Sequence, residues 1–183
     1  MGQAAVGGRY SSRSVGLKRN SQSVQVQEMN IETRAPALEF VLELRVTISP
    51  TVEIGLGAFG SRRMVPITGG SFSGVLSGRV LPGGADWQFV EGRRVSFLDA
   101  HYVIEAEDGT RIEVRNRGIR HGPQSVIDRL SAGEQVPATN YYFRTSPRFY
   151  PPDGKHEWLK QFVFVGSCER FPDLVVVKVW KVL

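Results

Sequence analysis

Residues 68–87, TGGSFSGVLSGRVLPGGADW, decide the fold. Phe72, Gly74, Leu76, Gly78 and Val80 fall on one face, and Ser71, Ser73, Val75, Ser77 and Arg79 on the other. That is the period of two imposed by a pleated strand. Glycine within a strand costs stability, so Gly74 and Gly78 on the apolar face predict a sharply curved strand or the close approach of another backbone or a ligand. Pro82-Gly83-Gly84 then predicts a reversal of the chain ahead of Trp87.

The flanking segments alternate in the same way. From Leu38 to Ile48 every even-numbered residue is apolar, while Glu39, Glu43, Arg45 and Thr47 lie between them, which predicts a half-buried strand. Val52, Ile54 and Leu56 begin a second, shorter run. It leads into Gly55-Leu56-Gly57-Ala58-Phe59-Gly60, a literal match to the dinucleotide fingerprint G-x-G-x-x-G. That fingerprint works only where its last glycine opens a helix whose N-terminal amides hold a pyrophosphate. The residues that follow, SRRMVPITGG, lack helical periodicity and contain Pro66, so a glycine-rich loop between strands is expected, with Arg62 and Arg63 beside it as potential anion ligands.

Residues 95–117 predict a hairpin whose register can be argued. A three-residue loop Glu107-Asp108-Gly109, with Gly109 left-handed, pairs Ala106 with Thr110, Ile104 with Ile112, Tyr102 with Val114 and Ala100 with Asn116. The opposite face then pairs Glu105 with Arg111 and Asp99 with Arg117. Tyr102 and Asn116 thereby turn inward, and His101 turns outward beside Arg115. Further on, residues 125–130 predict one or two helical turns with Ser125 as the cap and Gly133 as the stop. NYYFRTSPRF (140–149) predicts a strand with Tyr142 and Arg144 on one face, and HEWLKQ predicts a short turn. Phe162–Gly166 and Leu174–Val182 predict apolar strands, the last either buried on both sides or buried on one side with a partner subunit, hence a homodimer, on the other. Short strands, little helix and Gly/Pro turns give an all-β fold: an antiparallel β-barrel, calycin-like, over residues 37–183.

GGSFSGVLSGRVLPGGADW, DAHYVIEAEDG, RNRGIRHGP, YYFRTSPRF and HEWLKQFVFVGS, in this order and spacing, resemble the domain-of-unknown-function family numbered 3237, also called uncharacterised protein family 0311. The resemblance runs from about Leu38 to Val182. It implies a compact antiparallel β-barrel and no agreed activity. Some relatives are associated with secondary-metabolite or aromatic-compound pathways, which implies a small organic ligand.

Charge narrows the partners. Of the net +5, residues 1–36 carry +3, from Arg9, Arg13, Lys18, Arg19 and Arg34 against Glu28 and Glu32, which leaves +2 for the rest. A basic patch of the kind that binds nucleic acid is therefore not expected on the folded body. Residues 1–36, rich in Gly, Ser, Gln and Arg in their first part, predict a disordered or extended arm without a secretory h-region. No run of eighteen apolar residues occurs, so no membrane helix is expected. Cys168 is the single cysteine, which rules out an internal disulfide, and the cytoplasm is the expected compartment. The motifs G-x-S-x-G and H-E-x-x-H, the P-loop and cysteine-histidine metal spacings are absent, and His101, His121 and His156 lie far apart, so neither a metal nor another cofactor is expected.

The expected site lies in the barrel mouth, where the glycines of the central stretch leave room. Phe72, Trp87, Asn116 and Tyr142 are its candidate ligand-binding residues. Tyr102, His121 and Arg144 are its candidates for proton transfer and carbonyl polarisation, because the planar guanidinium fork matches a carboxylate or carbonyl. Two functions fit: a cofactor-free lyase, isomerase or cyclase acting on an aromatic or polyketide-like compound, and a carrier that only binds such a compound.

Overall fold

The computed structural model describes residues 34–183; the arm expected over residues 1–36 falls almost wholly outside them. Ten strands follow in order: β1 (Leu38–Ile48), β2 (Val52–Gly57), β3 (Gly60–Gly74), β4 (Gly78–Val80), β5 (Gly84–Glu91), β6 (Val95–Ala106), β7 (Arg111–His121), β8 (Tyr142–Tyr150), β9 (Phe164–Arg170) and β10 (Leu174–Val182). One helix, α1 (Gln124–Ser131), and two single-turn 3₁₀ segments, Ala138–Asn140 and Glu157–Lys160, lie in the connections.

All pairings are antiparallel and they close on themselves. The ring runs β1, β10, β9, β8, β7, β6, then β4 and β5 end to end in one position, then β3, which pairs back to β1. This is a closed eight-position barrel. The long strand β3 makes closure possible by serving two neighbours on each flank: β1 and β2 on one side, β4 and β5 on the other. Closure leaves the ring no free edge among its eight positions.

The central stretch departs from a single strand. It is a hairpin, with Gly70 to Phe72 of β3 paired to Val80 to Gly78 of β4. Its two halves keep the predicted alternation because Phe72, Leu76 and Val80 all enter the core. The glycines serve close approach rather than ligand space. Gly74 sits at φ +145°, and a Cβ there would run into the Val41 carbonyl oxygen.

G-x-G-x-x-G occupies the β2–β3 hairpin, where Gly57 pairs with Gly60 around Ala58-Phe59, and strand rather than helix follows. The β6–β7 hairpin has the predicted register throughout, from Glu105–Arg111 to Asp99–Arg117, and Gly109 adopts φ +83°. Its tip is tied down: the Asp108 carboxylate accepts from the Thr110 amide at 3.0 Å and lies 2.9 Å from the buried His156 ring. The helix is capped differently from the expectation. Pro123, not Ser125, stands at the N-cap and makes no side-chain cap bond, since Pro fixes the φ of the entry while Ser125 already lies inside the first turn. Gly133, at φ +81°, does end it.

Strand direction divides the interior into two halves. One end is solid, filled by Leu42, Ile104, Ile112, Leu159, Phe164 and Val179, each at 1% exposure or less. Burying such a side chain fully is worth roughly 1.5–3 kcal/mol. At the other end β1, β5, β7 and β9 finish and β3, β6, β8 and β10 begin, and there the interior turns polar.

Candidate functional site

The polar end holds a cavity of about 60 Å³, room for several waters or part of a small ligand. One wall is aliphatic: Val46 and Ile48 of β1, Val65 and Ile67 of β3, and Val175 and Val177 of β10. The facing wall, on strands β5 to β9, presents Asp86, Gln88, Tyr102, Asn116, Arg120, Thr145, Cys168 and Arg170. Strand alternation places them. On β7 the inward positions are Asn116, Gly118 and Arg120; on β5 they are Asp86 and Gln88, whose neighbour Trp87 points out and is 54% exposed.

A chain of hydrogen bonds fixes the acidic side. Arg63 Nε donates to Gln88 Oε1 at 2.9 Å, Gln88 Nε2 donates to Asp86 Oδ2 at 2.5 Å, and the Asp99 amide donates to Asp86 Oδ1 at 3.1 Å. Burial raises the Asp86 carboxyl above the ordinary carboxylate range, and the Gln88 bond and the charge of Arg120 oppose that rise without cancelling it.

The basic side is less satisfied. Burial, followed by repulsion from Arg63 and Arg170, pushes the Arg120 guanidinium down to about 10. Burial also lowers Arg63 and Arg170; the Arg63 cation lowers Arg170 further, while Glu53 and Asp86 oppose the fall at Arg63 and Asp173 opposes it at Arg170. Arg120 thus has two cations and one carboxylate, Asp86, as its charged neighbours, while Glu53 stands near Arg63 and Asp173 near Arg170. Two atoms of this wall are buried without any hydrogen-bond partner, Arg120 Nε and Asn116 Oδ1. Buried polar groups are paired in nearly all proteins, so each of these two atoms calls for a partner from the cavity, water or ligand.

Tyr102 and Cys168 complete the polar wall as neutral groups. Desolvation raises the Tyr102 phenol, and it pushes the Cys168 thiol up to about 12, with Thr145 Oγ1 3.6 Å away. A thiol so placed is moved away from nucleophilic activation.

Of the seven residues expected in the mouth, the structure brings only Tyr102 and Asn116 to the cavity. Phe72 is inward but packs in the core beside Gly78, away from the cavity wall. Trp87, His121, Tyr142 and Arg144 lie on the outer surface of the barrel. His121 stacks on Tyr142 with ring centroids 4.9 Å apart, and Arg144 lies over the same ring at 5.4 Å. The reason is a choice of face on β8: Phe143, Thr145, Pro147 and Phe149 fill the interior, which sends Tyr142 and Arg144 out. Of the two loop arginines, Arg63 turns in and Arg62 turns out over Phe89.

Asp86, Gln88 and Arg120 were not among the expected site residues, yet one signal for Arg120 was present. The hairpin register that turned Asn116 inward turns every second residue of β7 inward, Arg120 included. For Asp86 the signal misled, because Trp87 and Phe89 are the apolar members of ADWQFV.

The architecture is shared with proteins of known sequence and structure. A UPF0311 protein of Rhodopseudomonas palustris is 40% identical over 151 residues, 81% of this chain and 99% of the relative. The crystal structure from that organism, of a conserved protein of unknown function, superposes with a TM-score of 0.80 at 39% identity, over 82% of this chain and all of that one. A β-barrel-like protein of Acinetobacter baumannii superposes with a TM-score of 0.73 at 35% identity, over 84% of this chain and 99% of the other. An enzyme from Penicillium herquei shares the fold at 19% identity, with a TM-score of 0.61 over 82% of this chain and 98% of that one. The family described as Protein of unknown function (DUF3237) matches residues 36–182, nearly the whole barrel. The chain therefore belongs to the DUF3237 family, whose UPF0311 members carry the same closed barrel.

Proposed function

We propose that this protein takes a small organic compound, aromatic or polyketide-like, into the polar end of its barrel and acts on it as a cofactor-free lyase, isomerase or cyclase. The observation that carries the reading is the two-sided cavity, with an aliphatic wall facing Asp86, Tyr102 and Arg120. An apolar face with a few convergent polar groups is the usual composition of a small-molecule site. Asp86, its carboxyl raised by burial, is suited to take up and return a proton, and Arg120 to hold the carbonyl oxygen on which charge develops. The Tyr102 phenol supplies a neutral donor. Support for catalysis also comes from the Penicillium herquei protein of the same fold, an enzyme.

A carrier function is the second reading, favoured by one observation: both Asp86 oxygens already accept hydrogen bonds from the protein. Extraction of natively purified protein followed by mass spectrometry tests binding, with Ala100→Phe, which fills the cavity, as the control. An aromatic compound recovered from the wild type and absent from Ala100→Phe is the expected result. Incubating that compound with the protein in D₂O separates the two readings: deuterium incorporation by wild type and not by Asp86→Asn indicates an enzyme, and no incorporation by either indicates a carrier.

A further inference from the structure

The two orphan atoms, and the two cations that stand beside Arg120 against the single carboxylate of Asp86, specify more than a cavity. Asn116 and Arg120 both line the cavity from β7, two inward positions apart, with Gly118 between them. Four residues of strand separate their Cα atoms by roughly 13 Å, and the Thr145 side chain of β8 packs over the glycine between them. Asp86 is occupied by the Asp99 amide and Gln88, and Gln88 in turn by Arg63. Among the fully buried side-chain atoms of the wall, one cationic donor, Arg120 Nε, and one acceptor, Asn116 Oδ1, are left unmet. Among the described residues no carboxylate forms a salt bridge with Arg63, Arg120 or Arg170.

Resting on the reading of the barrel as a small-molecule site, we infer that its ligand is a hydroxy acid: a monocarboxylate bound at Arg120, with a hydroxyl at the far end of an apolar body donating to Asn116 Oδ1. A carboxylate supplies the acceptor for the orphan donor and offsets the excess positive charge. A hydroxyl supplies the proton that the Asn116 oxygen lacks. The aliphatic wall of Val46, Val65 and Val177 covers the body between them. A neutral ketone would satisfy Arg120 in part but leave the charge surplus in place. A dianion would outweigh it once Asp86 is ionised.

The test uses the full chain and three aromatic probes: 4-hydroxybenzoate, benzoate, and the neutral methyl ester of 4-hydroxybenzoate. Calorimetry is expected to give the hydroxy acid about tenfold tighter binding than either analogue, one charge-assisted or neutral hydrogen bond being worth about that factor. Amide shifts at Cys168 and Ala100, which line the cavity, should report the interior location. Asn116→Ala should bring 4-hydroxybenzoate to the affinity of benzoate while leaving benzoate unchanged. Equal binding of acid and ester inside the cavity overturns the hydroxy-acid assignment and leaves the small-molecule reading standing. Failure of every probe to shift Cys168 or Ala100 overturns both.

Discussion

Replacing Arg120 by methionine should make the protein more stable. The guanidinium is buried, it makes no salt bridge among the described residues, and its pKa falls from 12.5 to about 10, chiefly through burial. At about 1.4 kcal/mol per factor of ten, holding the charge there costs the folded state on the order of 3 kcal/mol. Methionine retains an apolar stem against the Phe143 ring, over which the guanidinium now lies at 5.7 Å. The sign follows from a folded pKa below the unfolded one. At neutral pH both states are charged and the cost is fully present; it fades as pH rises through about 10. Arg120→Met should thus gain up to about 3 kcal/mol at pH 7, or about 6–12 °C in Tm for a domain of this size. The gain should shrink in urea melts at pH 10.5. A loss of stability of about 3 kcal/mol or more at pH 7, the usual result of breaking a buried ion pair, would refute the reasoning and make Arg120 a structural partner of Asp86.

Two further outcomes are expected at the hairpin tip. Gly109 holds φ +83° in open space, so Gly109→Val should cost roughly 1–2 kcal/mol through backbone conformation alone, and Gly109→Asn less; an unchanged urea midpoint for the valine variant would contradict the left-handed loop. The Asp108 carboxyl is held well below the usual range, first by the Thr110 amide and then by His156 and Lys155, so its contribution is present at neutral pH and lost on acidification. Asp108→Asn should therefore lower the urea midpoint at pH 7, with the difference closing below pH about 4; a gap that persists at low pH would assign the effect to something other than that charge.

How far the sequence was legible depended on whether alternation and chemistry agreed. In β6 and β7 they agreed: the register that joined Ile104 to Ile112 also joined Glu105 to Arg111, and every pair is found. In β1 the even-numbered apolar residues from Leu42 to Ile48 are the buried ones. In β5, and at the ends of β6 and β7 away from their hairpin turn, they conflicted. Trp87, Phe97, Ile119 and Tyr142 form an apolar outer surface, so hydrophobicity favoured the wrong face while Asp86, Gln88 and Arg120 went inside. The turn inside the central stretch was hidden because Gly74 and Gly78 are an even number of positions, four, apart, which lets the chain reverse without breaking the period of two. Sequence periodicity identifies the two faces of a strand; it does not say which face the barrel closes around.

The inverted strands are informative for that reason. A barrel of this width can fill its interior with side chains, and the lower half does so with leucine, isoleucine, valine and phenylalanine. Simple inversion of β5 would have offered Trp87 and Phe89 to fill the upper half as well. Instead the chain exposes Trp87 and buries a carboxyl, a carboxamide and a guanidinium, each of which loses hydration that the protein restores only in part. Stability alone favours the opposite choice, since well-packed apolar groups commonly replace buried ions at a gain. Local rules broken together, at one end of one cavity, with two polar atoms still unpaired, are the reason for proposing this end of the barrel as the small-molecule site.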